Sequence, residues 1–183
     1  ALWVARSRLG FTFPNPAVGA VIVNSNGLVS SGFHYRAGDA HAEVIAIRKI
    51  KIKCIESAVM YVTLEPCSHY GKTPPCTKAI IDSGIKKVIF GFKDPNPLVH
   101  NKSSDILRQN GVECKFIQVD EIDDFYKYYQ YWVLNKKSWL SVKIAVDKNG
   151  VYSGHNGPVS ITNECANYWT HEHRLKHDAL LTT

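Results

Sequence analysis

No stretch of this sequence reaches the eighteen or so consecutive apolar residues that a membrane span needs. Its opening, Ala1-Leu2-Trp3-Val4-Ala5-Arg6, has the texture of a helix interior rather than of a secretory leader. There is no methionine at position 1, so the gene product is expected to be longer than these 183 residues. The five cysteines, at 54, 67, 76, 114 and 165, are an odd number without the dense spacing of a disulfide scaffold. Such thiols suit a reducing compartment, and a cytoplasmic protein is expected. Internal repeats and low-complexity tracts are missing, and no Gly-x-Gly-x-x-Gly phosphate loop follows residue 138. These absences argue against membrane-spanning, disulfide-stapled and repeat architectures.

What is present is a chain able to bury a core, with 45% hydrophobic residues. The net charge of +6 would serve nucleic acid or an anionic small substrate, and serves solubility at least as well. Residues 1–10 read as the end of an amphipathic helix closed by Gly10. Phe13-Pro14-Asn15-Pro16 cannot be helical, because two prolines restrict themselves and their predecessors. Val18–Val23 is an apolar, central strand, Asn24-Ser25-Asn26-Gly27 a hairpin turn, and Leu28–His34 the returning strand. Asn15 stands just ahead of the central strand, where its amide either faces a ligand or bonds its own turn.

A helix opens near His41, with Val44, Ile45, Ile47 and Ile50 expected on its core side and Arg48, Lys49 and Lys51 in water. Ala58–Leu64 is the third strand, and Pro75 is suited to the start of the helix that follows. Lys86–Phe90 and Val112–Ile117 are further strands, separated by a short helix over Ser103–Gln109. This alternation predicts a three-layer α/β domain with a five-stranded mixed sheet over residues 1–120. Residues 121–137 form an aromatic linker helix. Its rings could stack on nucleobases, but packing against a domain is the commoner use. Within residues 138–183 a strand over Trp139–Val146, a turn at Lys148–Gly150, a helix over Asn163–Lys176 and a strand over Asp178–Thr182 are expected.

Two short pieces carry the chemistry. His41-Ala42-Glu43 supplies an imidazole and a carboxylate two residues apart. Residues two apart on a helix point about 200° away from each other, so the pair shares a target only at a helix start. Pro66-Cys67-Ser68-His69-Tyr70-Gly71-Lys72-Thr73-Pro74-Pro75-Cys76 supplies two thiols across a turn-rich loop. Cys67 leaves the carboxyl end of a strand, where open α/β sheets bind ligands. Cys76 begins a helix, where a thiolate is stabilised. Taken singly, His41 reads as a hydrogen-bonded histidine, Glu43 as a solvated helix residue and the cysteines as buried thiols. Together His41, Cys67 and Cys76 form a three-ligand zinc set with a fourth position for water, and Glu43 remains as a base that is not a ligand. That is the arrangement of a zinc-dependent deaminase. Cys54 and Cys114 sit in apolar settings, and the cysteines outside the ligand set are expected to be buried free thiols.

Pro14-Asn15-Pro16-Ala17-Val18-Gly19, His41-Ala42-Glu43, the run from Thr63 to Cys76, and Asp94-Pro95-Asn96-Pro97 resemble the bifunctional riboflavin-biosynthesis deaminase/reductase family over about residues 1–120. The long spacer between the cysteines separates this family from the cytidine and tRNA-adenosine deaminases, which have Pro-Cys-x-x-Cys. The resemblance implies a cytidine-deaminase-like fold and one zinc ion. It also implies hydrolytic deamination of 2,5-diamino-6-(ribosylamino)-4(3H)-pyrimidinone 5′-phosphate to the aminouracil, with release of ammonia. It implies substrate contacts from Asn15, His34, His69, Lys72, Asp94 and Asn96, with Lys72 the phosphate candidate and a mobile surface lysine its bland alternative.

Beyond Trp139 the chain resembles the opening of that family's reductase domain. Lys143–Gly150 stands where the family has Lys-x-x-x-Ser-Leu-Asp-Gly, with Asp147 and Asn149 replacing the Ser and Asp. In the family this domain uses NADPH. A βαβ unit takes about 30 residues or more, so residues 138–183 are expected not to complete a nicotinamide pocket. The implied partner is a phosphorylated diaminopyrimidine, with no membrane and no nucleic acid expected, and self-association into a homo-oligomer left open. Two rival readings remain: a cytidine or deoxycytidylate deaminase, and a structural zinc module that binds nucleic acid with His69 or Cys54 as fourth ligand.

Overall fold

A computed structural model describes residues 1–50, 55, 57–97, 99–152, 161–177 and 179–181. The chain forms two compact units, Ala1–Ser138 and Trp139–Thr183. In chain order the first contains α1 (Leu2–Arg6), β1 (Gly19–Asn24), β2 (Gly27–Phe33), α2 (Ala42–Arg48), β3 (Val59–Val62) and α3 (Cys76–Ser83). β4 (Lys87–Phe90), α4 (Lys102–Gln109), β5 (Glu113–Phe116) and α5 (Asp120–Asn135) complete it.

The five strands form one mixed sheet in the order β2-β1-β3-β4-β5. β1 runs antiparallel to both neighbours, while β3, β4 and β5 are parallel. This topology places the loops that matter along one edge. Because Ala20 pairs with Val62, the segment entering β1 lies beside the carboxyl end of β3. Because Gly19 pairs with Phe33, the exit of β2 joins the same edge. The loop after β4 ends there too, through parallel pairing of Val62 with Phe90.

Side-chain alternation sorts the two faces of the sheet. Ala20, Ile22, Met60, Val62, Val88, Phe90 and Cys114 pack with Ala42, Ala46, Ile80 and Leu107, so α2, α3 and α4 cover one face. Each fully buried large aliphatic there contributes roughly 1.5–3 kcal/mol. Gly19 points the other way, and a Cβ on it would collide with the backbone of α1 at Ala1 and Ala5. A Cβ on Gly91 would likewise meet Ile122 of α5, so α1 and α5 make the third layer. There Leu64, Phe92, Ile122 and Tyr126 form a second buried cluster.

Some elements differ from the sequence expectation. Helix α1 ends at Arg6, and Gly10 (φ +84°) closes the turns after it rather than the helix itself. Ile47 of α2 and Ile50 just beyond it pack against the core as expected, but the fully buried residues are Ala42, Glu43 and Ala46, while Val44 and Ile45 are half-buried. The reason is a close approach. A Cβ on Gly32 of β2 would strike the backbone of Ala42 and Ala46, so only small residues fit between helix and sheet. Lys51 lies outside the described residues.

In the second unit the described residues contain one regular element, α6 (Glu164–Arg174), whose Asn163 caps it by accepting from the Ala166 N–H at 2.9 Å. The Lys148–Gly150 turn is present, with Asp147 Oδ1 accepting from Asn149 and Val151 N–H. No strand forms over Trp139–Val146 or 179–181, because a strand needs a ladder partner and no described segment supplies one. Asp178 and Thr182 of the expected last strand lie outside the described residues. Cys114 is buried as expected, Cys165 is exposed in the polar first turn of α6, and Cys54 lies outside the described residues.

Candidate active site

His41 is the residue just before α2, in extended conformation (φ −73°, ψ 163°), and Glu43 lies in the first turn, 3% exposed. The helix start therefore aims both toward the sheet edge, as two residues on a continuing helix could not be. Pro75 holds the corresponding place before α3, whose first residue is Cys76. The Cys76 backbone N–H donates to Cys67 Sγ at 3.2 Å, drawing the loop from β3 onto the start of α3. His41 Nδ1 lies 3.2 Å from Cys76 Sγ and 3.5 Å from Cys67 Sγ. The three ligand atoms fall within 4.8 Å of one another.

The electrostatics suit a cation. Cys67 is held well below the ordinary thiol range, first by the Cys76 thiol as hydrogen-bond donor and then by His41. Cys76 is pushed up by that same shared proton and by burial. His41 is raised, chiefly by its hydrogen bond with Cys67. Burial raises Glu43, with His41 opposing. A divalent ion would replace the shared protons and neutralise the thiolates, so two sulfurs and one imidazole nitrogen fit zinc. Thr73 Oγ1 lies 3.5 Å from His41 Nε2, the ring nitrogen turned away from the thiols, and so supports the ring from behind. Among the described residues no fourth side chain joins the cluster, and Cys54, one of the two candidate fourth ligands, lies outside them.

His41, Glu43 and Cys67 line a cavity of about 320 Å³, and Cys76 lies buried behind them. Asn15, His34, His69, Lys72, Asp94 and Asn96 line the same cavity, so all the residues singled out in sequence meet at one place. His34 is buried, with Nδ1 3.2 Å from the Ala40 carbonyl and Nε2 3.0 Å from Asn15 Nδ2. Asn15 thus bonds a ring nineteen residues away rather than its own turn. His69 Nδ1 is buried without a protein partner, an orphan that a ligand could satisfy. Lys72 is exposed.

Two further residues have roles that the sequence did not signal. Glu65 is 3% exposed and receives the Ser103 hydroxyl at 2.6 Å, the Asn101 N–H at 3.2 Å and the Asp94 N–H at 3.3 Å. It ties the loop carrying Asp94 and Asn96 to the approach of α4. Tyr129 of α5 also lines the cavity and donates to Asp94 Oδ1 at 3.1 Å. It sits among many aromatics in a helix, where spacing alone says only that rings pack.

A three-layer sheet with a His-Cys-Cys cation site at two helix starts, and a buried glutamate beside it, defines a metal-dependent deaminase architecture. The family model for the cytidine and deoxycytidylate deaminase zinc-binding region matches residues 1–92, and the chain belongs to that family. It is 42% identical over 155 residues to the riboflavin biosynthesis protein RibD of Aquifex aeolicus, covering 82% of this chain and 42% of that protein. It is 38% identical to RibD of Bacillus amyloliquefaciens, covering 99% of this chain and 49% of that one. Among solved structures, it is similar to a diaminohydroxyphosphoribosylaminopyrimidine deaminase/5-amino-6-(5-phosphoribosylamino)uracil reductase from Thermotoga maritima. The TM-score there is 0.87 at 36% identity, over 95% of this chain and 50% of that one. The chain therefore spans about half the length of the relatives it matches. No described helix is long and apolar enough to cross a membrane.

Proposed function

We propose that this chain carries out the deaminase reaction of riboflavin biosynthesis, hydrolysing the 2-amino group of 2,5-diamino-6-(ribosylamino)-4(3H)-pyrimidinone 5′-phosphate. The observation that carries the reading is the meeting of Glu43 and the His41-Cys67-Cys76 cluster in one cavity with Asn15, His34, His69, Lys72, Asp94 and Asn96. The similarity to the riboflavin-biosynthesis deaminases supplies the substrate class.

Zinc held by His41 Nδ1 and the two thiolates would act as a Lewis acid, lowering the pKa of a water from 15.7 to about 7. Glu43 takes the proton of the attacking water as oxygen adds to the ring carbon bearing the amino group. It delivers that proton to the ring nitrogen, then carries the second proton, from the hydroxyl on the same carbon, to the departing amino nitrogen as C=O forms. The balance is one water consumed, one C–N bond broken, one C=O formed and one ammonia released. Burial of Glu43 keeps bulk water from competing for those protons. Asn15, His34, His69, Asp94 and Asn96 orient the ring and ribose, and Lys72 at the exposed rim meets the phosphate. A cytoplasmic setting belongs to the same reading, supported by the free thiols. For a chain of the relatives' full length, the proposal extends to NADPH-dependent reduction of the deaminated product.

The test is ammonia release by zinc-loaded protein from three substrates in parallel: the diaminopyrimidine phosphate, cytidine and deoxycytidylate. Turnover confined to the first supports the reading, and preference for either nucleoside compound replaces it with the family's other activity. Glu43→Gln should keep its zinc and lose about 10²–10⁴-fold in rate.

A further inference from the structure

Asp94 is held by its main chain from two sides. Its N–H donates to Glu65 Oε2 at 3.3 Å, and its carbonyl accepts from His100 Nδ1 at 2.9 Å. That clamp places the Cα but leaves the side-chain torsions to be set separately. Two donors set them. Asp94 Oδ1 accepts the Asn96 N–H at 2.9 Å and the Tyr129 hydroxyl at 3.1 Å. Oδ2 has no donor among the described residues, and the residue lines the cavity while only 6% exposed. The Asn96 contact is local and moves with the loop. Tyr129 comes from α5, thirty-five residues along the chain, and is an external reference point.

The reference point is itself fixed. One turn earlier, Tyr126 is 1% exposed and donates to the Ala17 carbonyl at 2.9 Å. Its oxygen also receives the Thr63 hydroxyl at 2.6 Å, while Thr63 accepts the Gly19 N–H at 3.1 Å. This buried chain ties the rotation of α5 to β1 and to the exit of β3. Tyr129 therefore arrives at Asp94 in a set orientation.

We propose that Tyr129 is a positioning residue of the deaminase site. It selects the carboxyl orientation in which Oδ1 is occupied by the protein and Oδ2 is presented to a hydroxyl or N–H donor of the ligand. Helix α5, which lies beyond residues 1–92, thereby completes the site. The inference rests on the reading in the preceding section and adds the residue that orients one of its ligand contacts.

Tyr129→Phe removes the hydroxyl and keeps the ring. Against the diaminopyrimidine phosphate, KM should rise about tenfold, as expected for one lost bond to a carboxylate, with kcat reduced less than about threefold and zinc content unchanged. In an Asp94→Ala background the same change should alter KM by less than about twofold, because its effect runs through the missing carboxyl. A wild-type KM for Tyr129→Phe would overturn the inference, as would an undiminished tenfold rise in the Asp94→Ala background. Absence of turnover by the wild-type protein would instead overturn the preceding reading, and this inference with it.

Discussion

Asn15 and His34 are joined by a 3.0 Å hydrogen bond between Asn15 Nδ2 and His34 Nε2, and that bond has one workable polarity. The Ala40 carbonyl, 3.2 Å from His34 Nδ1, can only accept, so in the neutral ring Nδ1 carries the proton and Nε2 accepts. Asn15 must then turn its NH₂ toward the ring, which leaves Oδ1 to accept from a ligand. Asn15→Leu would deprive a buried ring nitrogen of its donor. A stability loss of about 1–3 kcal/mol in denaturant titrations is expected, together with loss of turnover. Wild-type stability in that variant would show that water replaces the amide.

Metal and fold should be coupled through Cys76, which is fully buried at the start of α3. Wild-type protein should hold about one zinc per chain, and Cys76→Ser should lose most of it. Chelation should lower the thermal midpoint of wild type and leave that of the Cys76→Ser variant nearly unmoved, because only the first has bound ion to lose. Equal shifts in the two proteins would contradict the ligand assignment.

Asp94 makes the stability of the fold depend on pH. Burial is the main cause that raises its carboxyl above the ordinary value of 3.8, against donors from Asn96 and Tyr129. Above the raised value the folded protein carries a charge that is more comfortable in the unfolded chain. This destabilising contribution is fully present at neutral pH and fades as pH falls toward 3.8. Asn at this position can still accept both donors and carries no charge. Asp94→Asn is therefore expected to raise the denaturation midpoint at pH 7, by less at pH 5, while weakening ligand binding. A gain that grows on acidification would show the shift to have the opposite sign.

Gly32 tests how closely α2 must sit on the sheet. An added Cβ would meet helix backbone at Ala42 and Ala46 rather than a flexible side-chain tip, so the helix itself must move. Gly32→Ala should cost about 1–3 kcal/mol and lower turnover, since α2 carries His41 and Glu43. Gly27, at φ +109° with open space around its Cβ position, provides the contrast. Gly27→Ala should cost about 1 kcal/mol from backbone strain and leave turnover intact. Comparable activity losses at both sites would argue against the close-approach account.

Much of this protein was legible in its sequence because the signals are local. Asn24–Gly27 makes a hairpin, Pro75 precedes a helix, and an extended His41 starts another, each through torsions of a few adjacent residues. The convergence of His41, Glu43, Cys67 and Cys76 was legible for the same reason, since helix starts and strand ends announce where such side chains meet. The strand order was not, because antiparallel pairing of β1 with β3 rests on contacts between residues some forty positions apart. That pairing, with those of β1 to β2 and β3 to β4, brings Asn15 and His34 to the edge from which Cys67 and Asp94 emerge. Tertiary packing also decided how α2 sits, as Gly32 lets the backbone of Ala42 and Ala46 approach the sheet and leaves Ala42, Glu43 and Ala46 its fully buried residues. Tyr129 was the least legible of all. Its place in the site depends on Tyr126 bonding Ala17, 109 residues away, and no periodicity in an aromatic helix encodes which hydroxyl will meet a carboxylate.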